Sequence, residues 1–101
     1  VQAPRRALTL SALPRLQQAA ITDLAGQLGV AETEIRPGRV SPGSWANASM
    51  GCPEPGVEYA QVRTSGYFLP LIYNDRTVDY RTDGQKVVGC DGIEQLKAQD
   101  M

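Results

Sequence analysis

A chain of 101 residues, 42% apolar and 21% charged, with ten glycines and seven prolines, has room for one hydrophobic core and argues for short elements joined by loops. Ten basic residues against eleven acidic ones leave a formal charge of −1, too little field to gather a phosphate backbone or an anionic lipid surface, so nucleic acid is not an expected partner. No apolar run approaches the roughly 20 residues of a membrane span, and no apolar segment precedes a small-residue cleavage site, so the chain is expected to have no membrane span and to be soluble.

Residues 1–10, opening Val1-Gln2-Ala3-Pro4-Arg5-Arg6, read as a flexible segment of the kind that begins a mature chain or follows a removed signal. A single domain is expected over residues 11–90 and a polar tail over 91–101. Ser11 is placed to cap a helix whose first turn accepts Pro14, because the first helical amides have no carbonyl partner to lose. Leu13, Leu16, Ala20, Leu24 and Leu28 recur at three- and four-residue steps and form one apolar stripe, with Arg15, Gln18, Thr22 and Gln27 outside it. Gly29 supplies a left-handed cap onto which Val30 folds back, and Gly26 weakens the last turn by about 1 kcal/mol relative to alanine.

From Thr33 to Ser41 the pattern loosens to an edge strand or two short pieces, broken by Pro37-Gly38, which a central ladder does not accommodate. Residues 42–56 read as a long loop holding the chain's one tryptophan, Trp45. Strands are expected at Tyr59–Val62, Tyr67–Tyr73, Thr77–Thr82 and Lys86–Cys90, where β-branched and aromatic residues concentrate. Asn74-Asp75 and Asp83-Gly84 sit at hairpin-turn positions, so the last three segments make a meander. By alternation Tyr67, Leu69, Leu71 and Tyr73 share a face, with Val78 and Tyr80 as cross-strand partners, and the helix should cover that face. The tail carries Ile93, Leu96 and Ala98 among polar residues and is expected to be a frayed short helix or nothing. The fold class that follows is α+β, one N-terminal helix on a small antiparallel sheet.

The two cysteines, Cys52 and Cys90, admit a single pairing if both are oxidised, and oxidation fits an exported chain; two buried thiols are the alternative. A bridge closing nearly forty residues would stabilise the fold by about 4 kcal/mol in the chain-entropy model. A metal or redox role lacks support, with no CxxC, no second cysteine pair and no histidine, and no cofactor is expected.

Around these residues the chain resembles a family of exported bacterial domains of uncharacterised activity, whose shared pattern is a tryptophan followed by Leu/Met-Gly-Cys-Pro-x-Pro-Gly and then Tyr-Ala-Gln. The residues that carry it are Trp45, Ser49-Met50-Gly51-Cys52-Pro53-Glu54-Pro55-Gly56, Tyr59-Ala60-Gln61-Val62 and Gly66-Tyr67, then Tyr80 before Thr82-Asp83 and Cys90. Weaker likeness at Asp23-Leu24-Ala25 and Leu28-Gly29-Val30 extends it to about residues 20–90. Two departures stand out: Met50 replaces the usual leucine, and Arg81 stands where members often carry histidine. The resemblance implies an exported or cell-envelope domain with a tied cysteine pair, and no catalytic residue.

Without histidine, hydrolytic chemistry would have to recruit lysine or a carboxylate as base, and nothing pairs Lys86 or Lys97 with Ser41, Ser44, Ser49 or Ser65. The chain is therefore expected not to be an enzyme. Asp79 and Arg81 alternate on one strand and read as a solvated sheet face. Asn47-Ala48-Ser49 fits the glycosylation acceptor pattern, a weak signal in a bacterial setting. The loop 41–56 is the candidate binding element, with Trp45, Ala48, Ser49, Met50 and Glu54 as its candidate residues. Two readings compete for it. Either it is a binding or structural module whose partner is a protein of the cell envelope, or it is a secreted protease inhibitor that presents Ala48 to Met50 as a preorganised, substrate-like strand. The second requires Met50 to be exposed.

Overall fold

The computed structural model describes residues 4–93 and residue 96, with side chains from residue 13 onward. Helix α1 spans Pro4–Leu28, so the helix starts earlier than the Ser11 cap expected from sequence, and Pro14 lies inside it. Ala7, Leu8, Leu10 and Ala12 are strong helix formers that extend the helix upstream, while Pro14 forfeits only the bond to the carbonyl of residue 10. Residues 4–10 of the segment 1–10 thus lie in this helix, and residues 1–3 lie outside the described residues.

The helix ends as its glycine requires. Gly29 takes φ +71°, and the amides of Gly29 and Val30 both donate to the carbonyl of Ala25, at 2.8 and 3.1 Å. A 3₁₀ turn at Glu32–Glu34 follows. Glu32 reaches back to the helix, accepting from Gln18 Nε2 at 2.7 Å and from Thr22 Oγ1 at 3.0 Å, which fixes the path that buries Ile35.

Six antiparallel strands follow: β1 Arg36–Pro37, β2 Ser41–Trp45, β3 Thr64–Phe68, β4 Leu71–Tyr73, β5 Arg76–Thr82 and β6 Val87–Asp91. The sheet order is β1-β4-β5-β3-β2, with β6 on β5. β3 and β4 meet β5 in one continuous register, from Tyr67 opposite Thr82 to Tyr73 opposite Arg76. The expected strand Tyr67–Tyr73 is therefore one row interrupted at Leu69-Pro70. Leu69 still donates to the carbonyl of Tyr80 at 2.7 Å, whereas Pro70 has no amide to give. Along its other side β1 pairs β4 and β2 pairs β3, and the two registers differ by one residue, taken up at Gly38–Val40. The sheet is thus four rows wide.

Asn74 and Asp75, at φ +49° and +65°, form the tight turn between β4 and β5. The segment Tyr59–Val62 is not a strand; its row begins at Thr64.

The core lies between helix and sheet. Leu16, Ala20, Ile21, Leu24, Ala25 and Leu28 bury one stripe of α1 against Leu69, Leu71, Tyr73, Val78 and Tyr80, with Leu13 and Val30 packed at its margin. Ile93 and Leu96 join the same cluster, and the amide of Leu96 donates to the carbonyl of Gly92 at 3.3 Å. The segment after Cys90, expected to be frayed or unstructured, thus closes the core with its two apolar residues; Ala98 lies outside the described residues.

Candidate functional site

The sheet face away from the helix carries the side chains that alternate with the core: Phe68 from β3, Asp79 and Arg81 from β5, and Trp45 at the end of β2. Trp45 and Phe68 meet edge to face, with centroids 5.4 Å apart and planes at 70°. The Arg81 guanidinium lies 5.1 Å from the Phe68 centroid and 5.9 Å from that of Trp45. Its Nη2 donates to Asp79 Oδ2 at 2.8 Å, and its Nη1 to the carbonyl of Met50 at 2.7 Å. A planar fork that bonds in two directions while stacking on rings is arginine chemistry. The Asp79–Arg81 pair, read from sequence as a solvated face, instead forms the half-buried floor under the loop.

The loop is built on that floor. Asn47 Oδ1 accepts from the amide and hydroxyl of Ser49, at 2.9 and 2.6 Å, and the amide of Cys52 donates to the carbonyl of Ser49 at 3.0 Å. Met50 and Gly51 take φ +56° and +77°, folding the chain back on itself. A Cβ on Gly51 would stand 2.7 Å from Arg81 Nη1, so glycine is what lets the backbone cross the guanidinium. One residue later Cys52 bonds to Cys90 of β6, with no free cysteine remaining.

These positions revise the loop expected from sequence. Its first part, Ser41–Trp45, is strand β2, paired with β3 from Ser41 opposite Phe68 to Trp45 opposite Thr64. Trp45 and Ala48 are half-buried, Ser49 is 6% exposed, Met50 is fully buried, and Glu54 alone of the five candidates is exposed. Ala48 to Met50 is therefore a buried turn rather than an extended strand offered to a protease. The inhibitor reading depended on Met50 being accessible, and the geometry removes it.

What the loop does expose is its continuation. Residues 53–62 form a rim closed at its base by the Ala48 amide donating to the carbonyl of Ala60 at 3.0 Å, and braced within by the Glu54 amide donating to Tyr59 Oη at 3.1 Å. Val57 and Val62 are 47% and 58% exposed on it. Val57 was not singled out from sequence and Val62 was read only as the end of a strand, since nothing local distinguishes a rim valine from one that packs. Arg81 and Phe68 were also missed as loop anchors; the one available sign was an arginine in a strand with a carboxylate two residues before it.

On the helix side, Tyr80 Oη donates to Asp23 Oδ2 at 2.6 Å, and Gln27 Nε2 donates to the same oxygen at 2.8 Å. Burial first, and the adjacent Asp23 carboxylate second, push the Tyr80 hydroxyl well above its ordinary pKa. Asp23 and Gln27 form one side of a cleft of about 490 Å³ that follows β6 and is bounded on the other side by Glu54 of the rim.

Comparison with known proteins gives no match among curated proteins and none among solved structures. A family match does cover the second half of the helix, the sheet as far as Cys90 and both cysteines: over residues 17–90 the chain fits, and so belongs to, a domain family of unknown function, DUF8738.

Proposed function

We propose that this domain is a non-catalytic, extracytoplasmic module that binds another protein through the rim at residues 53–62. The observation that carries the reading is the contrast between the loop's roots and its tip. Ser49 and Met50 are buried, Cys52 is bonded to Cys90, and Arg81 holds the Met50 carbonyl, while Val57 and Val62 stand in solvent. A rim fixed in this way binds without paying to order itself, and its exposed apolar side chains are the kind that a partner covers. The bridge supports a location outside the reducing cytoplasm, and a chain without histidine supports a non-catalytic role.

The test is site-specific photocrosslinking in the native cell, with the reactive residue placed at Val57, at Val62 and, as a control, at the exposed Thr33 of the 3₁₀ turn. A discrete adduct of one mass from both valines and none from Thr33 is expected. Equal adducts from all three sites, or none from any, would refute the reading. Cell fractionation with thiol alkylation tests the location: Cys52 and Cys90 should resist alkylation in the extracytoplasmic fraction, and a cytoplasmic pool alkylated at both would overturn it.

A further inference from the structure

The two edges of the sheet are treated differently. The outer row of β1 and β2 carries Pro37 and Pro42 and is broken at Gly38–Val40, which are the usual devices against pairing with another chain. β6 carries neither proline nor lysine and pairs regularly with β5 over Val87–Gly89, an irregularity at Cys90 separating these from Asp91, and Lys86 precedes it without lining the adjoining cleft. Among the described residues no segment pairs with its outer side.

The register fixes which groups look outward. Tyr80 directs its carbonyl to Leu69, so its neighbour Arg81 turns its backbone toward β6, where it faces Val88. Val87 and Gly89 consequently aim their amides and carbonyls away from the sheet, into the cleft they line. That cleft has Asp23 and Gln27 of α1 as one wall, Glu54 as the other, and Asp91 at its end, and no lysine or arginine lines it. Both hydrogen bonds that Asp23 accepts among the described residues fall on Oδ2, which fixes the carboxylate at the wall of the cleft.

We propose that the outer edge of β6 takes an extended, basic peptide segment of the partner protein as an added strand, paired to the backbone of Val87 and Gly89 and held at its side chains by Asp23, Glu54 and Asp91. The proposal rests on the binding-module reading and names the partner's chemistry. Main-chain pairing supplies the affinity and the carboxylates supply the choice of a basic sequence. The three regular residues Val87–Gly89 present an edge of about 10 Å, enough for the central residues of an octapeptide, and the irregularity at Cys90 ends the pairing before Asp91. A second copy of this chain is a poor occupant, because β6 against β6 would bring the same carboxylates face to face.

The experiment uses the full oxidised chain, isotope-labelled, titrated with an octapeptide of alternating lysine and valine and with a glutamate-valine counterpart. The basic peptide should shift the amides of Val87 and Gly89 saturably, should weaken in about 0.5 M salt, and should bind about tenfold more weakly to the Glu54→Lys, Asp91→Lys double variant. Both substituted residues are exposed, and an unchanged melting temperature verifies that the variant is folded. Equal binding of the acidic peptide, no shift at Val87 and Gly89, or a dimer with protected β6 amides would overturn the proposal. Rim crosslinks in cells without peptide binding would remove the edge site and leave the module; peptide binding without crosslinks would leave the edge site and remove the rim as the contact.

Discussion

Replacing Tyr80 by phenylalanine deletes one oxygen and leaves the ring where it packs, fully buried in the core against α1. The oxygen lost is the donor to Asp23 Oδ2 at 2.6 Å. Because Asp23 is exposed and keeps its bond from Gln27, water replaces the donor in part, and the cost at neutral pH should sit at the low end for a charged acceptor, about 1.5 kcal/mol. The same hydroxyl makes that cost depend on pH. Its pKa in the folded chain is raised above the ordinary value of 10.0, so the folded state holds the proton more tightly than the unfolded state does. Stability from this group is therefore complete well below pH 10 and is lost as pH rises through 10 toward the folded pKa, by about 1.4 kcal/mol in total at pH 11, of which about 1.0 falls between pH 10 and 11. Tyr80→Phe has no such proton. The two proteins should differ by about 1.5 kcal/mol from pH 7 to 9 and converge near pH 11. Urea unfolding at half-unit steps from pH 7 to 11 reads the difference directly, since all other titrating groups are common to both chains. A gap that stays constant through pH 11 would refute the linkage, and the absence of any gap at pH 7 would refute the hydrogen bond.

Three further outcomes follow from the opposite face. Met50→Ala, at a fully buried position, should cost about 2–5 kcal/mol in urea unfolding, and a cost below about 0.5 kcal/mol would mean the loop does not close over it. Cys52→Ala with Cys90→Ala, which opens a bridge of sequence separation 38, should lower stability by about 4 kcal/mol; an unchanged urea midpoint would contradict the bridge. Arg81→Lys keeps the charge but loses the fork that spans Asp79 and the Met50 carbonyl, and should cost about 1–3 kcal/mol with faster amide exchange at Gly51 and Cys52; equal exchange would show that Arg81 does not hold the loop.

The parts of the fold legible in the sequence are those fixed by period and turn chemistry. Leu16, Ala20, Leu24 and Leu28 mark the buried stripe of α1, and Leu69, Leu71, Val78 and Tyr80 mark the face it covers, because a side chain's direction in a helix or strand is set by its spacing. Asn74-Asp75 and Gly29 sit at positive φ, where local residue type decides the conformation. Strand β2 was not legible. Ser41-Pro42-Gly43-Ser44 has a turn's composition, and it becomes a strand because Gly43, opposite Gly66, leaves room for the rings of Trp45 and Phe68; a Cβ there would come within 2.8 Å of both. The reverse error arose at Tyr59–Val62, where strand-like composition lies in the rim and Val62 is exposed. The helix start was displaced because Ser11 and Pro14 form a credible N-terminus, and the helix-forming residues upstream outweigh it.

Of the candidate site, the cysteine pair could be read because two cysteines leave one pairing. The burial of Met50 could not. A methionine between serine and glycine, in a stretch rich in proline, shows no period, and its burial depends on Arg81, thirty-one residues away, reaching its carbonyl. The alternation that placed Arg81 on the solvent side identified its face correctly and its surroundings wrongly, because it carries no information about which loop returns to cover that face.

The placement of the bridge bears on what the loop is for. The helix-side core is continuous from Leu16 to Leu96 and includes neither cysteine, while Arg81 and the stacked rings already hold the loop at Met50. The bridge lies beyond that anchor, at the point where the chain leaves the sheet, and it ties the rim to β6 itself. Glu54, two residues after Cys52, is thereby kept as a wall of the cleft along that strand. A bridge serving stability alone gains as much from any closure of similar length. Closing it onto the one edge that lacks proline couples the rim's position to the open strand, so opening the bridge should blur peptide recognition at Glu54 even under conditions where the helix-side core remains folded.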